Sequence, residues 1–203
     1  TLGEDGATHQ ILEDIGMMKM LPGMTVIVPC DHNQTKAATI ALGSHEGPAY
    51  LRFGRPSWPI FMAPDRPFTI GKADKLIEGN QVTIFATGHM VWLAIEAEAM
   101  LTEKGISAEV INIHTIKPLD VEAILSSAQK TGCVVTCEEH QINGGLGDSV
   151  AQVLSRFHPT PIEMVGVNDS FGESGTPTQL LAKYGLSKEN IVAAAEKVLK
   201  RKK

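Results

Sequence analysis

Five short runs rich in β-branched and aliphatic residues recur along this chain. They are "MTVIVP" at 24–29, "QVTIFATG" at 81–88, "AEVINI" at 108–113, "CVVTCEE" at 133–139 and "IEMVGV" at 162–167. Stretches with apolar residues three or four apart separate them, such as Val91, Ala94, Ile95 and Met100 or Leu101 between 89 and 104. Strands that alternate with helices indicate a parallel sheet covered on both faces. The spacing therefore predicts an α/β chain.

Residues 1–53 read as helix, strand, helix, strand. Ile11, Leu12, Ile15, Met18 and Leu21 keep helical spacing until Pro22 and Gly23 stop it. Asp31 or Asn33 caps the next helix, "QTKAATIAL", which ends near Gly43, and "PAYLRF" at 48–53 is a further strand. A unit of this size buries too little surface to be comfortable alone. It reads as part of an α/β domain that lacks its first strands. Between 54 and 71 the composition changes. Pro56, Pro59, Pro64 and Pro67 alternate with Trp58, Phe61 and Phe68, which suits an extended linker held down by aromatic anchors. Residues 72–203 then form a second α/β block, with helices at 89–104, 120–130 (capped by Asp120), 145–156, 177–184 and 188–200. The expected architecture is a three-layer parallel-sheet domain preceded by a partial α/β domain.

Charge and cysteine content limit the function classes. The net charge of −5 and the lack of an internal basic cluster argue against nucleic acid. Lys200–Lys203 is a basic helix end, favourable to the helix dipole. No apolar run approaches the ~20 residues of a membrane span. Three cysteines are an odd count for a disulfide framework. Cys133 and Cys137, four apart on a strand, lie about 13 Å from one another, too far to share a zinc ion. Buried, reduced thiols and a cytoplasmic location are expected.

Four stretches carry candidate chemistry. In "GGLGD" at 144–148 a glycine turn joins a strand to a helix, but Glu138 and Glu139 before it would repel a pyrophosphate, so a structural turn is expected. Glu138, Glu139 and His140 are adjacent strand residues and cannot all face one side. Whether they serve a ligand, an interface or the surface stays open. In "RFGR", Arg52 and Arg55 either grip a phosphate or carboxylate or lie on the surface, one of them pairing with Glu46. In "GEDGATHQ", glycines flank Asp5, Thr8 and His9 just before the first helix. An imidazole near a carboxylate moves protons near neutral pH, although the same residues, Thr8 above all, could merely cap the helix. His114 reads as a satisfied structural residue. His89 reads as a plain polar residue at a helix start, and His32, His45 and His158 carry no signal.

Together these stretches resemble the carboxyl-terminal half of transketolase. The family's "GEDGPTHQP" is here "GEDGATHQI". The matches continue in order through "PGMTVIVPCD", "FGRP", "GHMVWLAIEAEA", "TIKPLD", "EEHQINGGLG", "NDSFGESG" and "LLAKYGL", across essentially the whole chain. The resemblance implies that 1–53 is the end of the thiamine diphosphate pyrimidine-binding domain and that 72–203 is the transketolase C-terminal domain. Deoxyxylulose phosphate synthases usually have His-His where this chain has His9-Gln10, and the beta subunits of 2-oxoacid dehydrogenases lack the Asp-Gly-x-Thr-His pattern.

The resemblance also implies roles. In the complete enzyme a two-carbon ketol unit passes from a ketose phosphate to an aldose phosphate, as in pentose phosphate metabolism. Asp5 matches the aspartate that bonds the acceptor's second-carbon hydroxyl. His9 matches the histidine at the donor's reacting end, and Arg55 matches the arginine that binds the sugar phosphate. Arg52 is a weaker candidate for substrate binding. The resemblance places the glutamate that activates the cofactor, and the "GDG" site for its diphosphate and Mg or Ca, before Thr1. This chain alone is accordingly expected to bind no cofactor and to be inactive. Its expected partners are an upstream half carrying that site, a second copy in a homodimer, and sugar phosphates, with neither nucleic acid nor membrane. Two rival readings make the chain half of another thiamine diphosphate enzyme, a deoxyxylulose phosphate synthase or a 2-oxoacid dehydrogenase beta subunit, or mainly an assembly module.

Overall fold

The computed structural model describes residues 5–202. After a 3-10 turn at Ala7–His9 come α1 (Asp14–Met20), β1 (Thr25–Ile27), α2 (His32–Leu42) and β2 (Ala49–Leu51). The second block contains β3 (Asp74–Ile77), β4 (Val82–Ala86), α3 (Met90–Glu103), β5 (Ala108–Asn112), β6 (Thr115–Lys117) and α4 (Val121–Thr131). It continues with β7 (Val134–Gln141), α5 (Leu146–Phe157), β8 (Ile162–Val167), α6 (Pro177–Lys183) and α7 (Lys188–Leu199).

The larger sheet has the order β3-β5-β4-β7-β8, parallel except for β3 at one edge. Strand alternation distributes its side chains to two cores. Val82, Ile84 and Ala86 of β4 pack with Met90, Ala94 and Ala97 of α3 and with Ile191, Ala195 and Val198 of α7. Phe85 of the same strand joins Ile111, Val134, Ile124 of α4 and Val150 of α5. The three expected layers are present.

The smaller sheet has the order β2-β1-β6. β1 and β2 are parallel, while β6 runs antiparallel to β1, pairing Val26 with Lys117 and Ile27 with Thr115. Ile15, Val26 and Val28 share a core with Phe85 and Ile111, so the two sheets bury apolar surface together. The Lys117 ammonium closes the end of α1 by donating to the carbonyls of Lys19 at 2.9 Å and Leu21 at 2.6 Å.

Two local expectations are revised, and an open choice of helix cap is settled. β3 and β6 are strands that the apolar pattern does not predict. β3 is an edge strand that begins Asp-Lys, and β6 is only three residues long, so neither carries an apolar run. The first helix starts at Asp14 rather than near Gln10. Residues 10–13 instead reach across to β7, where Gln141 N–H donates to Leu12 O at 2.8 Å. Asp31, not Asn33, caps α2: its Oδ1 accepts from Gln34 N–H at 2.8 Å. Asn33 donates to Met62 O at 2.7 Å.

Residues 54–71 contain neither helix nor strand. Trp58 stacks on His89 with ring centroids 4.7 Å apart, Phe61 leans on Trp92, and Phe68 lies 4.2 Å from the His114 ring. The other oxygen of Asp31 accepts the N–H groups of Phe61 at 2.9 Å and Met62 at 2.7 Å.

Candidate active site

A cleft of about 350 Å3 opens between the two sheets. The segment from Tyr50 to Arg55 forms one wall, and His89 and Glu139 form another. Leu180, Leu181 and Tyr184 close it from the α6 side, and His9 stands on its lining.

The glycine loop shapes the rim. Gly6 sits at φ +80°, and a Cβ there would approach Ser174 Oγ to 2.6 Å. Only glycine suits that backbone at that distance. Residues 170–174 back the loop, since Gln10 Nε2 donates to Glu173 O at 3.0 Å. Thr8 does not cap a helix; its hydroxyl lies 3.0 Å from His9 Nδ1. Gly3 and Glu4 of the same motif lie outside the described residues.

The two arginines of "RFGR" go opposite ways. Arg55 points outward and forms an ion pair with Asp5, both side chains being substantially exposed. Arg52 points inward: its Nε meets Asp14 Oδ2 at 2.9 Å, and its Nη2 donates to Glu139 O at 2.9 Å and Ile11 O at 3.3 Å. Both arginines thus pair with aspartates of the first block rather than with Glu46. Tyr50 O–H donates to the same Asp14 oxygen at 2.8 Å. Burial, reinforced by that carboxylate, pushes the phenol up to about 12.

The Glu-Glu-His run obeys strand alternation. Glu139 turns to the cleft, where its Oε2 lies 3.3 Å from His89 Nδ1. Burial holds the His89 imidazole down at about 4, so it is neutral near pH 7. Glu138 and His140 lie together on the other side, 3.8 Å apart. His140 Nε2 accepts from Gly16 N–H at 3.3 Å, and its Nδ1 lies 2.7 Å from Gln141 O. That pattern fits a neutral ring with its proton on Nδ1.

Glu138 enters the first turn of α5, where Oε2 accepts Leu146 N–H at 2.6 Å and Oε1 accepts Gly147 N–H at 2.8 Å. The glycine turn is structural, as expected, and its two amides are taken by the chain's own Glu138 carboxyl group. In sequence that acid reads as a group that repels an anion; in the fold its oxygens take the place an anion would occupy. The signal for it is an acid at the end of a buried strand, shortly before a glycine pair that opens a helix. His89 is a cleft residue that sequence reasoning misses, since its only mark is its place at the helix start after β4.

Thiamine diphosphate needs a metal and a diphosphate cradle. Among the described residues there is no group of three or more His, Cys, Asp or Glu that could hold a metal ion. The glycine-turn amides are taken by Glu138. The described residues do not fit that part of the cofactor.

Residues 71–191 match the family model of the transketolase C-terminal domain, and residues 1–59 that of the transketolase pyrimidine binding domain. The chain belongs to the transketolase family and corresponds to its carboxyl-terminal half. It is 47% identical to the 6-deoxy-6-sulfo-D-fructose transketolase subunit SqwH of Clostridium sp. (strain MSTE9), over 98% of this chain and 62% of that protein. It is 40% identical to a subunit of the apulose-4-phosphate transketolase of Phocaeicola vulgatus, over 98% of this chain and 64% of that one. A 1-deoxy-D-xylulose-5-phosphate synthase of Geobacter sulfurreducens is 39% identical, over 98% of this chain and 32% of its own length. A solved structure described as a split gene transketolase, inactive beta4 tetramer, aligns with a TM-score of 0.95 at 47% identity, covering all of this chain and 67% of that one. The chain thus spans about three fifths of the length of the first two relatives. No helix of the described residues is long and apolar enough to cross a membrane.

Proposed function

We propose that this chain is the substrate-facing carboxyl-terminal part of a thiamine diphosphate-dependent transketolase. It works with a partner half that holds the cofactor's diphosphate and metal, and the complete enzyme forms a dimer in the cytoplasm. The enzyme moves a two-carbon ketol unit from an anionic ketose to an aldose phosphate. The observation that carries the reading is the Asp5–Arg55 ion pair at the rim of a cleft that His9 also lines. In this arrangement Arg55 receives the anionic tail of the sugar, and a guanidinium matches phosphate or sulfonate oxygens geometrically. Asp5 is then released to accept a sugar hydroxyl, and His9 exchanges a proton at the reacting end. Grip on the remote anionic group is binding energy available for orientation at the reacting carbons.

The names of two relatives, one on a sulfonated ketose and one on a phosphorylated sugar, favour a substrate class defined by its terminal anion. The domain division at 1–53, 54–71 and 72–203 belongs to the same proposal. The test is complementation of the full-length subunit with its partner half, using sulfonated and phosphorylated ketose donors. Ketol transfer that His9→Ala abolishes supports the reading. An enzyme that instead condenses pyruvate with an aldehyde overturns it.

A further inference from the structure

We infer that Arg52 is a positioning residue that fixes the His9 loop against the larger sheet, not a ligand of the substrate. This inference rests on the proposed role of His9. Arg52 follows β2, and its backbone N–H continues the sheet by donating to Ile27 O at 2.9 Å. Its guanidinium then meets three groups from two directions. Ile11 O lies two residues after His9, Asp14 opens α1, and Glu139 O belongs to β7. Only 17% of the Arg52 side chain and 3% of the Asp14 side chain are exposed.

Asp14 makes this clasp demanding. Its Oδ2 takes both Arg52 and Tyr50, while Oδ1 is buried without a hydrogen bond. Removing the guanidinium would leave the buried Asp14 carboxylate with no charged partner, only the Tyr50 hydroxyl, and would cut the tie between residue 11 and β7. Lysine cannot replace it fully, since one ammonium cannot span a carboxylate and two separated carbonyls as a planar fork does. Arg55 is three residues further on and outward-facing. The geometry divides the pair: Arg55 meets the anion, and Arg52 sets where His9 stands relative to it.

The experiment uses the full-length subunit with its partner half and compares a phosphorylated aldose acceptor with its unphosphorylated analogue. Arg52→Ala and Arg52→Lys should lower kcat by about tenfold or more, and by the same factor for both acceptors, with KM for the phosphorylated one changed less than about threefold. Arg55→Ala should instead raise KM for the phosphorylated acceptor alone. Amide hydrogen exchange over residues 10–16 should quicken in Arg52→Lys and in Asp14→Asn, but not in Arg55→Ala. An Arg52 variant whose loss is confined to the phosphorylated acceptor, or whose exchange is unchanged, overturns the inference. A wild-type enzyme without ketol transfer would instead count against the functional reading, and the exchange measurement would still decide the clasp.

Discussion

Glu138 holds the first turn of α5 from inside the protein, with its Oε2 2.6 Å from the amide nitrogen of Leu146. Gly145 makes room for it: a Cβ there would stand 1.9 Å from the same carboxylate oxygen. That oxygen is pinned by the amide and cannot step aside. Gly145→Ala should therefore destabilise the fold by about 2–4 kcal/mol, measured by urea unfolding.

Burial raises the Glu138 carboxyl to about 7 from an ordinary 4.5, against the opposing pull of the two amides and Lys19. A raised carboxyl contributes stability that is complete below the unfolded value and is lost as pH climbs through the folded one. The native protein should take up a proton on folding between about pH 4.5 and 7. Glu138→Gln mimics the protonated form but puts an amide nitrogen where an acceptor is needed. It should cost roughly 2 kcal/mol near pH 5, and the deficit should narrow as pH rises toward 8. A deficit that widens with pH would falsify this account of the site.

His89 shifts in the opposite sense. Its folded value of about 4 lies below the ordinary 6.5, because burial opposes the charged ring. The unfolded chain then binds the extra proton first, so stability falls as pH drops from about 6.5 toward 4, and His114 adds a second share of the same sign. His89→Phe keeps a ring against Trp58 and removes its own titration, leaving those of His114 and of His140, which burial also lowers. Its acid-induced loss at pH 5 should be smaller than that of the wild type by roughly 2 kcal/mol, by chemical denaturation at pH 5 and 7.

Asp31 couples the cap of α2 to the segment that follows Gly54, because its two oxygens accept three backbone N–H groups. Asp31→Ala should cost about 2–3 kcal/mol and expose residues 60–66 to limited proteolysis. Unchanged protease resistance would show that the aromatic contacts alone hold that segment.

Cys30, Cys133 and Cys137 are all buried and free, and burial raises each thiol above its ordinary range. None should react with an aromatic disulfide reagent at pH 8 in the native protein, and all three should react in denaturant. A native thiol that titrates quickly would show an opening of the core not seen in this structure.

The layered architecture is legible in sequence because the apolar runs of the second block are long and alternate cleanly with helical stretches, as in "VTIFA" and "VVTC". Asp5, His9 and Arg55 stand out by motif, and the fold brings Asp5 to Arg55 across fifty residues of sequence. Strands β3 and β6 escape because their pairing is a tertiary matter, with a charged edge in one and three residues in the other. The roles of Arg52 and Glu138 escape for a related reason. A charged residue reads as solvent-facing in sequence, and only the fold shows that these two face inward toward backbone groups they satisfy.

The antiparallel seam between β1 and β6 has a consequence for how this chain can be divided. The covalent chain passes from one unit to the other through residues 54–71, but the hydrogen-bonded fabric crosses elsewhere, joining Thr25–Ile27 to Thr115–Lys117. A nick in the proline-rich stretch should leave two polypeptides that travel together as one particle. A chimera that exchanges only the second block would import a foreign strand into the smaller sheet. Recombination at this junction is therefore constrained less by the linker than by the register of a three-residue strand well downstream of it.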